Sequence, residues 1–506
     1  MRQLIGSIII VLLLLILYGG YQWYQGANFS DTKPDLQNGE VNIEELYDSN
    51  FEDRNVTEYN LTAEQVSWAI NSDTTIEAWT YNGTVPGEPL RVKEGDVLKV
   101  NLQNDLDVPV TIHWHGLILP NVMDGVPDLT QEAVQPGETF TYEFIANHPG
   151  TYWYHSHQDS ALQVDKGLYG SLVIEEKKSE RNNENEEILI LDEWSTDGER
   201  ESVTNMPGMM MGSMSGDGEA DTKQMYDTYT VNGKSGESIK PIIIKGGEKS
   251  LLRVINAGYQ IHRLKFPENV AKVIAFDAAK TIDKNNQVNV IEIAPGERVD
   301  IEIENKFTEP WYIEDVSETG NGDQSNVSIP VVIDEKVDFN KVYQDKSDKN
   351  LKADVDVDGA SIGSEVLLFD KTPKNPDVDY TMDLNMGMQM GEGMVFQINN
   401  EIYPDTPPIE VVEGDIVKVT LTNNGRLNHP MHLHGHRFQV VSKNGQLYDE
   451  PMLKDLINVE PGETYEIYFK ADNKGEWLFH CHDNNHADRG MITVVDYQSV
   501  YSPFVN

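Results

Sequence analysis

The chain has one cysteine in 506 residues, and it stands between two histidines, as His480-Cys481-His482. A lone thiol closes no intramolecular disulfide, so cross-linking is not its use. His486 follows five residues after the cysteine, and Met491 ten residues after. Thiolate, imidazole and thioether so close together form the soft nitrogen and sulfur donor set that suits a mononuclear copper. Successive side chains of a β-strand face opposite ways. Cys481 would therefore face one side, with His480 and His482 on the other. One strand could then serve two metal sites joined by a few covalent bonds, a layout suited to passing electrons.

Ten of the 13 histidines fall in four clusters: His113-Trp-His115, His155-Ser-His157, His429-Pro-Met-His432-Leu-His434, and His480-Cys-His482 with His486. One His-x-His pair means little, because a hydrogen-bonded surface pair explains it as well as a metal does. Four clusters with this spacing point to metal binding.

Complete and in this order, the four motifs resemble those of the three-domain multicopper oxidases, which include laccases and bacterial cuprous oxidases. The resemblance covers residues 58 to 500 and implies four copper ions. A type 1 copper would take His429, Cys481 and His486, with Met491 as weak axial ligand. A type 2 copper would take His113 and His432. One type 3 copper would take His115, His155 and His482, the other His157, His434 and His480. The implied chemistry is one-electron oxidation of a substrate at the type 1 site. Cys481, His480 and His482 would carry the electrons inward, where dioxygen is reduced to water. Asp124 matches the family's acidic residue beside the cluster, although Asp124-Gly125 is also ordinary turn chemistry. One departure concerns protons. Bacterial relatives often have an acid directly after the histidine matching His486, and this chain has Ala487, then Asp488.

Internal repeats indicate what positions these residues. The stretch from Pro89 to Val100 is echoed from Pro408 to Val419, with a looser copy from Pro241 to Lys249. A second element, a Pro-Gly-Glu turn feeding an alternating strand, recurs at Val134–Phe144, Ile293–Ile303 and Val459–Phe469. Three copies of one pair of elements mean three related domains. Short alternating strands rich in Val, Ile and Tyr make them all-β: three consecutive cupredoxin-like Greek-key β-sandwiches. The expected domains are 58–178, 186–335 and 376–500, with a linker at 336–375. Domain one supplies four of the clustered histidines and domain three six, so the two should meet at an interface. The middle domain offers only His262, at the position matching His429 but without a cysteine. A vestigial or surface role is expected for it, and surface or supporting roles for His148 and His436. In domain one Ser156 stands where Cys481 does, and Ala161 and Lys166 occupy the other two type 1 positions.

Methionines bear on the substrate. Of 16, five crowd together as Met206, Met209, Met210, Met211 and Met214. Another five run from Met382 through Met386, Met388 and Met390 to Met394. Interleaved with glycine and other small or polar residues, both runs make poor core segments, and thioethers favour Cu(I). A cuprous oxidase is the first expectation, with Met206–Met214 and Met386, Met388 and Met390 as additional Cu(I) ligands. Flexible filler is the bland alternative. A laccase acting on phenols or aromatic amines is the second expectation, and a manganese oxidase a third. A copper carrier would need only the type 1 ligands, so the other eight histidines argue against it.

The net charge of -45 repels phosphates and excludes a nucleic-acid partner. The apolar run from Leu4 to Tyr18 reads as a signal sequence or signal-anchor over 1–24. Residues 25–57 read as a flexible acidic spacer. The expectation is an exported protein, anchored to the membrane if the first segment is not cleaved.

Overall fold

Strand Ile416–Asn423 alternates a buried Val-Val-Leu-Asn set with partly exposed Ile, Lys and Thr, and Val97–Asn104 does the same in the matching repeat. That period of two gives a sheet with one face in the core. The computed structural model describes residues 41–178, 185–196, 226–282, 284, 286–317, 325, 327–333, 362–389 and 393–505. Among these, strands predominate and helices are single turns.

Each repeat builds two facing sheets. In domain one the strands Thr75–Tyr81, Val56–Ala69, Val97–Asn104 and Thr139–Ile145 are neighbours in that order. They face a second sheet ordered Gly87–Lys93, Tyr169–Glu175, Gly150–His155 and His113–His115. The corresponding sheet of domain three runs Ile409–Val411, Ile492–Tyr497, Glu476–Cys481, His429–Leu433 and Leu456–Val459. Domain two repeats it with Ile242–Ile243, Ser328–Val332, Trp311–Asp315, His262–Lys265 and Val290–Ile293. The chemistry-bearing strands thus occupy one topological place in all three domains. Behind them Trp114, Tyr142, Phe144 and Tyr154 are almost wholly buried. Buried aromatics of this size contribute several kcal/mol each, on the order of 3–5 by the cost of truncation, and hold the ligand strands still.

Register does the positioning. His113 pairs across the ladder with His155 and His115 with Trp153, while His432 pairs with His480 and Met431 with Cys481. Directly opposed residues of an antiparallel pair lie about 5 Å apart, so within each of these two domains register sets its histidine clusters side by side.

Two boundaries differ from the expected ones. The chain is already ordered at Val41–Asn42, which pairs in parallel with Val500–Tyr501, and Ile43 is fully buried. Leu46 and Tyr47 pack on the same core, and the Tyr47 hydroxyl donates to the Glu143 carbonyl at 2.9 Å, so residues 41–47 of the expected spacer dock on the first domain. Within the linker, Ile362 enters the middle domain's core and Ser364 bridges to Thr281. The expected signal segment 1–24 lies outside the described residues.

Candidate metal centre

Strand Glu476–Cys481 and the residue after it place His480 and His482 on one face and Cys481 on the other. On the thiol side, Cys481 Sγ lies 3.7 Å from His429 Nδ1 and 3.5 Å from His486 Nδ1. The Asp483 carboxylate caps the helical turn Asn484–Ala487 by accepting from the Asn485 N–H, and this turn brings His486 back over the sulfur. Met491 is fully buried in the same core. Its carbonyl accepts from the Cys481 N–H at 3.1 Å, closing the loop. Burial pushes the thiol well above its usual range, so a thiolate here requires a neighbouring cation.

On the other face, three groups of imidazoles converge: His113, His115 and His432; His115, His155 and His482; and His157, His434 and His480, with ligand atoms in each group within 4.8 Å of one another. His115 and His432 stack at 3.8 Å between centroids, and His113 and His434 at 3.9 Å. Burial holds seven of the ten clustered histidines well below the usual range, and brings His480 to about 4 and His486 to about 3. All of these imidazoles are neutral at pH 7, the form that ligates.

The donor set fits copper. His113, His155 and His432 each direct Nδ1 at a backbone carbonyl, of Asp124, Ser156 and Asp455 respectively. Their Nε2 atoms, and that of His157, are buried with no hydrogen-bond partner among the described residues. Nitrogens fixed on one side and orphaned on the other are what a metal would satisfy. Asp124 is fully buried, and its Oδ2 accepts from His434 Nδ1 at 2.8 Å.

Other candidates fall elsewhere. Met206, Met209, Met210, Met211, Met214 and Met390 lie outside the described residues. Met382 is core rather than ligand, at 0% exposure. Its strand Val378–Gln389 packs that residue inward, while the end of the same strand leaves the sheet body. There Met388 pairs with Met394, and Met386 with Phe396. The Phe396 ring lies 3.8 Å from that of His486, so this methionine hairpin abuts the thiol site. Asp488 is exposed, with Ala487 buried before it. His436 is buried between the His434 carbonyl and the Tyr497 hydroxyl, while His148 is exposed.

His262 is not at the surface. It is fully buried, with Nδ1 2.7 Å from Asp315 and Nε2 3.5 Å from Glu193. Although burial opposes the charge, Asp315 and Glu193 raise this imidazole to about 10. The ordinary histidine value is lower, so the triad's contribution is complete below about pH 6.5 and is lost as pH rises through about 10. We predict that the middle domain's melting temperature falls by roughly 5 °C between pH 7 and 10. Neutralising all three (Glu193→Gln, His262→Leu, Asp315→Asn) should remove that slope. An unchanged slope would show that the triad is not protonated.

Sequence profiles described as multicopper oxidase match residues 62–179, 191–330 and 370–499. The chain is 28% identical over 447 residues to the multicopper oxidase MmcO of Mycobacterium tuberculosis, covering 83% of each protein. It is 25% identical to a copper resistance protein A homolog of Pseudomonas syringae, covering 87% of this chain and 92% of that one. Among solved structures it is similar to a multi-copper oxidase from Pseudomonas thermotolerans, with a TM-score of 0.67 and 27% identity over 88% of this chain and 100% of that one. With three matched domains, a buried Cys–His site and converging histidines, the chain belongs to the three-domain multicopper oxidases, copper-dependent oxidoreductases that use oxygen.

Proposed function

We propose that the chain is a cuprous oxidase that removes Cu(I) outside the cytoplasm. His429, Cys481, His486 and Met491 would hold the type 1 copper. His113 and His432 would hold the type 2 copper, and the six remaining histidines the type 3 pair. Bound there, copper would supply one-electron oxidation at the thiolate site and reduction of dioxygen to water at the histidine cluster. The protein's own residues do the rest. His480 and His482 flank Cys481 in sequence and tie the two sites through the backbone. Asp124 orients His113 and His434 and stands where a proton can be handed to the cluster. An N-terminal membrane anchor would keep the enzyme at the outer face of the cell membrane.

The observation that carries the substrate is the methionine hairpin. Met386, Met388 and Met394 share one face with Phe396, whose ring covers His486. His429 and His486 are 0% and 3% exposed, so a bulky phenol finds no open imidazole edge, whereas a thioether-bound ion would find a short path. Relatives named copper resistance protein A support the same reading.

Oxygen uptake by the copper-loaded chain tests it, with Cu(I), a phenol or Mn(II) as reductant. Replacing Met386, Met388 and Met394 by leucine, or deleting 206–214, should lower the rate with Cu(I) by about 10-fold, in line with losing one or two soft ligands. Phenol oxidation should hold or rise. Equal losses with all three reductants would overturn Cu(I) as the particular substrate.

A further inference from the structure

The middle domain supplies no histidine to the cluster, yet one of its side chains reaches the cluster's edge. Arg298 is 1% exposed and is among the largest fully buried side chains of the protein. Its guanidinium makes a two-pronged contact with the Asp455 carboxylate, Nη1 to Oδ1 at 2.7 Å and Nη2 to Oδ2 at 2.6 Å. Asp455 in turn addresses two imidazoles. Its carbonyl oxygen accepts from His432 Nδ1 at 2.9 Å, and its Oδ1 lies 3.6 Å from His115 Nε2. Arg298 Nε also points at the Thr151 carbonyl of the first domain, at 3.5 Å. One side chain thus touches all three domains.

The sequence makes room for this contact. Gly116, directly after His115, has φ +82°, and a Cβ there would come within 2.4 Å of Arg298 Nη2 and 2.7 Å of Asp455 Oδ2. Gly296, in the Pro-Gly-Glu turn that leads into Arg298, has φ +86°, and a Cβ there would meet the His482 ring at 2.9 Å. The three repeats of this turn continue with Thr139, Arg298 and Thr464. Thr139 is exposed and Thr464 partly exposed, so only the middle copy sends its side chain inward.

Buried charge needs company, and Arg298 has it. Asp277 Oδ1 lies 3.2 Å from Nη1, and Lys454 bridges Asp277 and Glu297 at 3.0 and 2.7 Å. Such an array resists displacement, because moving one charge leaves another unpaired. Two parallel N–H···O bonds also fix the plane of the carboxylate, which an ammonium cannot do.

We propose that Arg298 is a positioning residue of the histidine cluster: it locks Asp455, and through it the orientation of His115 and His432. This rests on the copper assignment proposed above. Domains one and three then supply the ligands, and domain two supplies the clamp.

The test uses the full-length, copper-loaded chain with Arg298→Met and Arg298→Lys. Blue absorption reports the thiolate site. Copper per chain, and the electron paramagnetic resonance of the histidine-bound copper, report the cluster. Both variants should keep the blue absorption while copper affinity at the cluster falls roughly 10- to 100-fold, with altered hyperfine coupling. Arg298→Lys should shift less but in the same direction. Wild-type spectra and affinity in both variants would overturn the proposal. So would parallel loss of both copper classes with a lowered melting temperature of the copper-free protein, the mark of a scaffold contact only. If Arg298→Met does not fold, Arg298→Lys alone decides, since it keeps the stem and the charge and loses the fork. Were the copper assignment itself wrong, the wild-type chain would take up no histidine-bound copper, an outcome separate from these.

Discussion

Replacing Cys481 with serine should abolish the blue colour and leave oxygen uptake below about 1% of wild type with every reductant, a loss exceeding the 10–100-fold typical of an outer-shell partner. The expectation follows from the geometry around the sulfur. His429 Nδ1 and His486 Nδ1 approach Sγ from two sides, and no other thiol exists in the chain to replace it. Serine keeps the shape and loses the soft anionic donor, so copper at this position would be held by two imidazoles and a weak thioether. The fold should survive, because a serine in place of a buried, unpaired cysteine costs about 1–3 kcal/mol. Copper held by the opposite strand face should remain. Visible absorption, copper content and oxygen uptake on one preparation separate these effects. Retained turnover would disprove that electrons enter through Cys481.

The convergence of the histidine clusters and Cys481 was legible because its signal is local. His-x-His spacing places two rings on one strand face whatever the rest of the chain does, and the order of clusters carried the assignment to domains one and three. The three-domain architecture was legible in the Pro-Gly-Glu turns for a similar reason. What stayed hidden depends on pairs far apart in sequence. Nothing near Asp455 announces that its partner is Arg298, 157 residues away. The available signal was the odd member of the repeat, an arginine where Thr139 and Thr464 stand. His262 was read as vestigial or exposed because only its missing cysteine was considered. Its partners Glu193 and Asp315 come from other strands, and they turn an inherited ligand position into a buried ion triad. The docked start at Val41 was missed because docking rests on a short stretch, Ile43, Leu46 and Tyr47, too brief for a periodicity to mark it. The run from Met382 to Met394 was read as a poor core segment because glycine and asparagine interrupt it, yet Met382 at its start is fully buried. Its strand is instead pulled into the core by parallel pairing with Ile416–Asn423.

The second large effect is expected at Asp124, where alanine and asparagine should behave differently. Asp124 holds two rings by different atoms. Its backbone carbonyl accepts from His113 Nδ1 at 2.8 Å, and its side-chain Oδ2 accepts from His434 Nδ1 at 2.8 Å. Alanine keeps the first contact and removes the second, leaving the His434 ring free to turn. Copper affinity at the cluster and oxygen turnover should both fall by about 100-fold, the upper range for loss of such a partner. Asparagine can still accept from His434 through its amide oxygen, so the ring stays oriented and copper stays bound. What it lacks is a group that can take up and release a proton, and turnover should fall by roughly 10- to 100-fold at unchanged copper content. Bleaching of the blue colour by reductant without oxygen should match wild type in both variants, because the thiolate site lies on the other face of the strand. Asparagine turning over at the wild-type rate would remove Asp124 from proton delivery. Alanine retaining full copper and turnover would remove it from ring orientation as well.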